Sequence, residues 1–139
     1  MIIARSPFRI SFSGGGSDIA SHYEKHGGAV LSTSINKYVY IEAHPFFDPG
    51  RLQLKYSKTE NVDSPTKVEH RIFQRVLTKY DLNGIELTST ADIPAGTGMG
   101  SSSAFTAALL QCVHAYRGQF RSQDQLAHEA CKIEIEDLG

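Results

Sequence analysis

Pro94-Ala95-Gly96-Thr97-Gly98-Met99-Gly100-Ser101-Ser102-Ser103-Ala104 lies between two segments of opposite periodicity. Upstream, Asn83-Gly84 turns the chain into a β-rich run, Ile85 to Thr90, which reads as a strand. Downstream, Phe105, Ala108, Leu109, Cys112, Val113 and Tyr116 recur at i, i+3, i+4, i+7 spacing, which predicts an amphipathic helix ending at Gly118. A strand, a glycine-rich loop and a helix opening on serines make an anion site. Glycines let backbone approach a phosphate closely, and unpaired N–H groups at the helix N-terminus point toward it. The three serines add hydroxyl donors, and one of them can ligate Mg²⁺, an ion usually held by a few protein oxygens plus substrate phosphates. Two familiar nucleotide loops fail here. The P-loop needs a lysine, and none lies between Lys79 and Lys132; the dinucleotide fingerprint needs a glycine where Ser101 stands. A plain surface loop closed by a serine N-cap would need one serine and no flanking glycines.

The rest of the chain reads outward from that loop. Phe8-Arg9-Ile10-Ser11-Phe12 alternates as a half-buried strand and runs into Ser13 and Gly14-Gly15-Gly16. Ser17 or Asp18 can cap a short helix to about Lys25, stopped by Gly27-Gly28. Ala29 to Ile35 is β-rich and leads into a strand over 37–42; Leu52 to Tyr56 alternates again, and polar residues 57–64 read as a loop. Pro65 suits the first position of a helix whose buried stripe is Val68, Ile72, Val76 and Tyr80. Ser122 with Gln125 forms a capping box for a last helix running toward Gly139. Strands dominate the first 60 residues and helices the remainder, so the fold class is α+β. The chain reads as a single domain over 1–139. Its end, where a helix would be leaving for another element, points to a truncated protein.

Composition excludes several classes. The 139 residues suffice for one domain with a real core, and 14 Lys plus Arg against 15 Asp plus Glu leave a net charge of -1. No basic run marks a nucleic-acid patch, no apolar run approaches the ~20 residues needed to span a bilayer, and no signal segment opens the chain. Two cysteines make no disulfide framework: Cys112 sits on an apolar stripe and reads as core, and Cys131 as packed. The six histidines form no ligand cluster and read as surface or helix residues. A cytoplasmic globular domain with small-molecule partners, without nucleic acid or membrane, is expected; the oligomeric state is left open.

The loop over 94–104 resembles the central motif of the GHMP kinases (galactokinase, homoserine kinase, mevalonate kinase, phosphomevalonate kinase), P-x-x-x-G-L-G-S-S-[AS], with Met99 in place of leucine. Ser6-Pro7-Phe8-Arg9 is similar to the family's first motif. Gly14-Gly15-Gly16-Ser17-Asp18, Ser34 to Tyr40 and Tyr56 to Asp63 resemble its D-glycero-D-manno-heptose 7-phosphate kinase branch. The resemblance covers essentially the whole chain. It implies the GHMP kinase N-terminal domain, related to the second domain of ribosomal protein S5, and an ATP- and Mg²⁺-dependent sugar kinase. The γ-phosphoryl group would go to the anomeric hydroxyl of D-glycero-D-manno-heptose 7-phosphate. Alternatives are a fucokinase-like or other sugar 1-kinase and a non-catalytic sugar or nucleotide sensor; an RNA-binding domain on this scaffold would need a basic surface.

The resemblance also implies roles. Pro94, Gly96, Gly98, Met99, Gly100, Ser101, Ser102 and Ser103 would bind the ATP phosphates, and Ser102 with Glu134 would hold Mg²⁺. Ser102 opens one helix and Glu134 closes the next, so an antiparallel return can bring them together; the alternative for Glu134 is a solvated acid beside Glu129, Glu136 and Asp137. Gly15, Gly16, Ser17 and Asp18 would bind the sugar, a capping role being the alternative for Asp18. Arg9 would stabilise charge on the transferring phosphoryl group, or be a solvated strand residue. Lys37 and Lys58 are candidates for the distal phosphate. The family's catalytic aspartate and C-terminal domain would lie beyond Gly139, so this chain alone is expected to bind Mg-ATP weakly and to be nearly inactive.

Overall fold

The computed structural model describes residues 1–137. Strands β1 (Ile2–Ser13), β2 (Leu31–Pro45), β3 (Leu52–Lys55), β4 (Thr59–Val62) and β5 (Ile85–Ala91) form one sheet in the order β1-β2-β5-β3-β4. Neighbours are antiparallel except β3 and β5, which are parallel. Helices α1 (Ala20–His26), α2 (Arg71–Lys79), α3 (Ser101–Tyr116) and α4 (Gln123–Lys132) complete the α+β architecture, and α4 runs on into a π-helical turn, Ile133–Asp137. None of the described helices is long and apolar enough to cross a membrane.

Strand alternation places the core. Val39, Ile41 and Ala43 of β2, Leu52 and Leu54 of β3, and Ile85 and Leu87 of β5 all point to one face. There they meet Phe73, Val76 and Leu77 of α2 and Leu109, Leu110, Cys112 and Val113 of α3. Cys112 is core as expected, and burial pushes its thiol up to about 11. Cys131, expected to be packed, is exposed. The Ser122–Gln125 capping box forms as read.

Several elements depart from the sequence reading. In β1, Phe8 is buried but Phe12 is 66% exposed, because a bulge between Pro7 and Arg9 shifts the register and the outer half of the β1–β2 hairpin extends past the helices. Ser17 and Asp18 do not cap α1, whose N-cap is Ile19 without a side-chain bond. Residues 59–62, expected in a loop, form β4. Pro65 starts only a 3-10 turn over 65–67; Val68 is extended, and α2 begins at Arg71 under an N-cap from His70. Val68 still joins the core, from the connecting segment. Leu138 and Gly139, the expected end of the last helix, lie outside the described residues.

Candidate active site

The loop between β5 and α3 is anchored at its entrance. Asp92 donates its backbone N–H to Tyr38 O (2.9 Å) and accepts from Tyr38 N at Oδ2 (2.8 Å), stitching the end of β5 to β2. At its exit Gly100 takes φ +69°, a left-handed conformation that favours glycine, and gives α3 no side-chain cap. The first intrahelical bond shown there is Ala104 N to Gly100 O (2.9 Å), so the amides of Ser101–Ser103 are open to a ligand, at the positive end of a 16-residue helix. The serines therefore do not serve as a cap.

Glu134 does meet Ser102. It is carried by the π-helical turn after α4, and its Oε1 accepts from Ser102 Oγ (3.0 Å) and Thr106 Oγ1 (2.7 Å) while Oε2 accepts from Ser103 Oγ (3.2 Å). Glu134, half-buried, thus accepts from three hydroxyls of α3. Thr106 is fully buried, lies one turn after Ser102 and also contacts Ser102 O at 3.0 Å. The sequence reading missed it, although i+4 spacing from a candidate metal ligand was available as a signal.

This donor set suits Mg²⁺. Oxygens 3.0 Å apart, as Ser102 Oγ and Glu134 Oε1 are, match the adjacent-ligand spacing of an octahedral ion with bonds of about 2.1 Å. Among the described residues no group of three His, Cys, Asp or Glu could cage an ion. Any metal here would depend on phosphate and water oxygens for its remaining positions.

Arg9 lies against the same loop. Its backbone N donates to Met99 O (3.2 Å), its Nη1 donates to Ser11 Oγ (2.7 Å), and a Cβ built on Gly100 would come within 3.2 Å of its Cγ and Nε. The Gly14–Asp18 turn is built separately. Ser17 Oγ contacts Gly14 O (2.8 Å) and Ala29 O (3.0 Å) and accepts from Ala29 N (3.2 Å), and Asp18 Oδ1 accepts from Gly16 N (3.2 Å). These bonds occupy the Ser17 hydroxyl and explain why neither side chain caps α1. Ser17 and Asp18 border a cavity of about 440 Å³ with Tyr23 and Val30. No hydrogen bond among the described residues ties that turn to the Ser102–Glu134 cluster. Of the two distal-phosphate candidates, Lys58 is paired with Glu69.

Beside the loop is an apolar cavity of about 300 Å³, walled by Phe8, Val39, Ile93, Phe105 and His70 and ending at Ser101 and Ser102. Of the histidines read as surface or helix residues, His114 is a buried residue of helix α3 and His70 is half-buried at the N-cap of α2. His70 sits in this wall. His114, 1% exposed, lies remote from it, with Nε2 2.9 Å from Glu129 Oε2 and 3.2 Å from the Tyr80 hydroxyl.

Comparison with known proteins places this geometry. The sequence profile described as GHMP kinases N terminal domain matches residues 67–139. The chain is 26% identical to a D-glycero-alpha-D-manno-heptose 7-phosphate kinase of Campylobacter jejuni, across 99% of this chain and 44% of that protein. Its fold superposes on the crystal structure of a D-glycero-D-manno-heptose 1-phosphate kinase from Bacteroides thetaiotaomicron with a TM-score of 0.84. There the identity is 24%, over 100% of this chain and 49% of the other. The fold also superposes on the mevalonate kinase of Methanococcus jannaschii with a TM-score of 0.72 and 16% identity, over 97% of this chain and 47% of the other. The chain spans about half the length of these relatives. With more than half of its residues matched by the family profile and a serine–glutamate pair closing on the glycine loop, the chain belongs to the GHMP kinase family through that family's N-terminal domain.

Proposed function

We propose that residues 1–139 form the ATP-binding half of a cytoplasmic sugar kinase that works with a second domain and phosphorylates the anomeric hydroxyl of D-glycero-D-manno-heptose 7-phosphate. The observation that carries the phosphate-binding part is the convergence of Ser102, Ser103 and Thr106 on Glu134 at an uncapped helix N-terminus. Open amides of the Gly96–Ser103 loop would hold the β- and γ-phosphates, with Ser102 and Glu134 as the protein's oxygens toward Mg²⁺. When bound, that ion would neutralise the charge developing on the phosphates. Arg9, against the loop, supplies a guanidinium to the transferring group. Phosphoryl transfer depends chiefly on such positioning and charge stabilisation. The apolar cavity next to Ser101 would receive the nucleoside, and Asp18 would accept hydrogen bonds from sugar hydroxyls. The heptose assignment is supported by the names of the relatives above and by the Gly14–Asp18 stretch.

The test is ³¹P NMR of Mg-ATP and the heptose 7-phosphate with the full-length gene product. A new anomeric phosphate resonance is expected, and S102A and E134Q should each lower kcat by roughly a hundredfold. ADP formation only with another sugar, such as fucose, moves the acceptor and keeps the kinase. Nucleotide binding without turnover of any sugar overturns the kinase reading in favour of a sensor.

A further inference from the structure

The wall of the apolar cavity carries an imidazole, His70, that phosphate binding leaves unused, and a buried carboxylate behind the wall holds it in place. Glu60, 7% exposed, accepts from the Tyr56 hydroxyl (2.6 Å), Glu69 N (2.7 Å) and His70 N (3.3 Å). A buried carboxylate is tolerated only when so paired. Burial works against its charge, but these donors outweigh that and keep Glu60 below the ordinary carboxylate range. The clamp fixes the backbone of His70, and the imidazole is then wedged among Tyr56, Phe73 and Phe105, each ring centroid 5.0 Å away for Tyr56 and Phe105 and likewise 5.0 Å for Phe73.

That packing decides where the imidazole proton sits. Nδ1 accepts from Phe73 N at 3.4 Å as the N-cap of α2. Burial lowers the His70 pKa below its ordinary value, so the ring is neutral near pH 7. A neutral imidazole has one proton, and with Nδ1 accepting, Nε2 carries it. Nε2 has no protein partner among the described residues, yet no sealed side-chain nitrogen among them lacks one. The N–H therefore faces open space. His70 borders both the apolar cavity and the adjoining pocket that contains Ser102 and Glu134.

An imidazole N–H set among Phe8, Val39, Ile72, Ile93 and Phe105, with Ser89 the other polar side chain away from the loop serines, fits a ligand with flat apolar faces and an acceptor at its edge. A purine has that chemistry, its pyridine-type ring nitrogens being the acceptors, and a nucleotide with its phosphates on the Ser101–Ser103 amides would lead its base into this cavity. We propose that His70 reads the nucleobase, donating its Nε2 proton to a ring nitrogen of the bound purine. This rests on the reading of the glycine–serine loop as the ATP phosphate site. Occupation by a base lacking that nitrogen would leave the donor buried and unpaired, which is how a site rejects an analogue.

The two ends of the imidazole can be separated by substitution in the full-length protein. His70→Asn keeps an acceptor where Nδ1 caps α2 and removes the outer donor; His70→Gln carries an amide N–H to the Nε2 position and gives up the cap. ATP affinity should fall roughly tenfold or more in H70N with little change in Tm, and by less than about threefold in H70Q, which should melt lower. Inorganic tripolyphosphate should bind all three proteins alike. Among 1-deaza-, 3-deaza- and 7-deaza-ATP, one should bind wild type roughly tenfold more weakly than ATP, and H70N should not distinguish it. Affinity that follows Tm in both variants, or no discrimination among the deaza analogues while tripolyphosphate binds, overturns the His70 proposal alone. If wild type binds neither ATP nor tripolyphosphate, the phosphate-loop reading falls and this proposal with it.

Discussion

Thr106 shows how one hydroxyl can govern a charged group without being solvent-accessible itself. It is fully buried, and its 2.7 Å bond to Glu134 Oε1 is shorter than that from Ser102 or Ser103. The carboxylate is thus aimed by a rigid helix side chain rather than left to swing on the turn after α4. Outer partners of this kind typically account for ~10-fold or more in metal affinity. Thr106→Val keeps the side chain's shape and removes only the donor. The full-length protein carrying it should need roughly tenfold more Mg²⁺ for half-maximal activity, with Mn²⁺ binding measured by electron paramagnetic resonance weakened alongside. Thr106→Ser should behave like wild type. Equal behaviour of the Val and Ser variants would reduce Thr106 to a packing residue.

At the scale of elements, the position of Glu134 depends on how α4 is fastened. Glu129 on α4 accepts from Lys79 Nζ (2.5 Å), the Tyr80 hydroxyl and His114 Nε2 (2.9 Å), joining α4 to the end of α2 and to α3. Burial opposes the charge on Glu129, but these hydrogen bonds outweigh it and hold its pKa at about 2, against an ordinary value of 4.5. A carboxylate with a depressed folded pKa stabilises the fold fully above its ordinary pKa, and the contribution disappears as pH falls through the folded value. Glu129→Gln should therefore cost on the order of 2 kcal/mol near neutral pH, with the gap from wild type closing between about pH 4.5 and 2 in melts across that range. A gap independent of pH would assign the loss to packing. Elements held in place by side chains distant in sequence are the ones least legible in a sequence. The helix over 101–116 was legible because its stripe and its glycine stop are local. β4 was not, since Glu60 faces inward with donors from Tyr56 and from the more distant residues 69 and 70 to satisfy it. The start of α2 was obscured by Pro65, whose preference for a first helical position is used by a 3-10 turn. The Ser102–Glu134 pair could be anticipated from motif spacing; the Thr106 bond and the His70 tautomer depend on helix packing and were invisible.

Over the whole molecule, the described residues divide into a covered body and a projecting hairpin. Helix α3 backs the inner parts of β1 and β2, where Ala4 pairs with Ile41, whereas Ile10↔Thr33 and Ser11↔Ser32 lie in the outer part, near the exposed Phe12 and Leu31. Local stability follows burial, so amides of the outer ladder should exchange with solvent well before those of the inner one. Mg-ATP bound at the glycine–serine loop would act on the body. At a hundredfold excess over its Kd, linkage adds about 2.7 kcal/mol, which for a domain of this size raises Tm by roughly 10 °C. Hydrogen exchange should then show new protection over 93–106 and around His70, with the outer hairpin amides unchanged. The two observations constrain each other. A Tm rise accompanied by protection confined to the hairpin would place the nucleotide away from the loop. No rise at saturating Mg-ATP would mean that the open amides of Ser101–Ser103 and the Ser102–Glu134 pair do not by themselves make a nucleotide site.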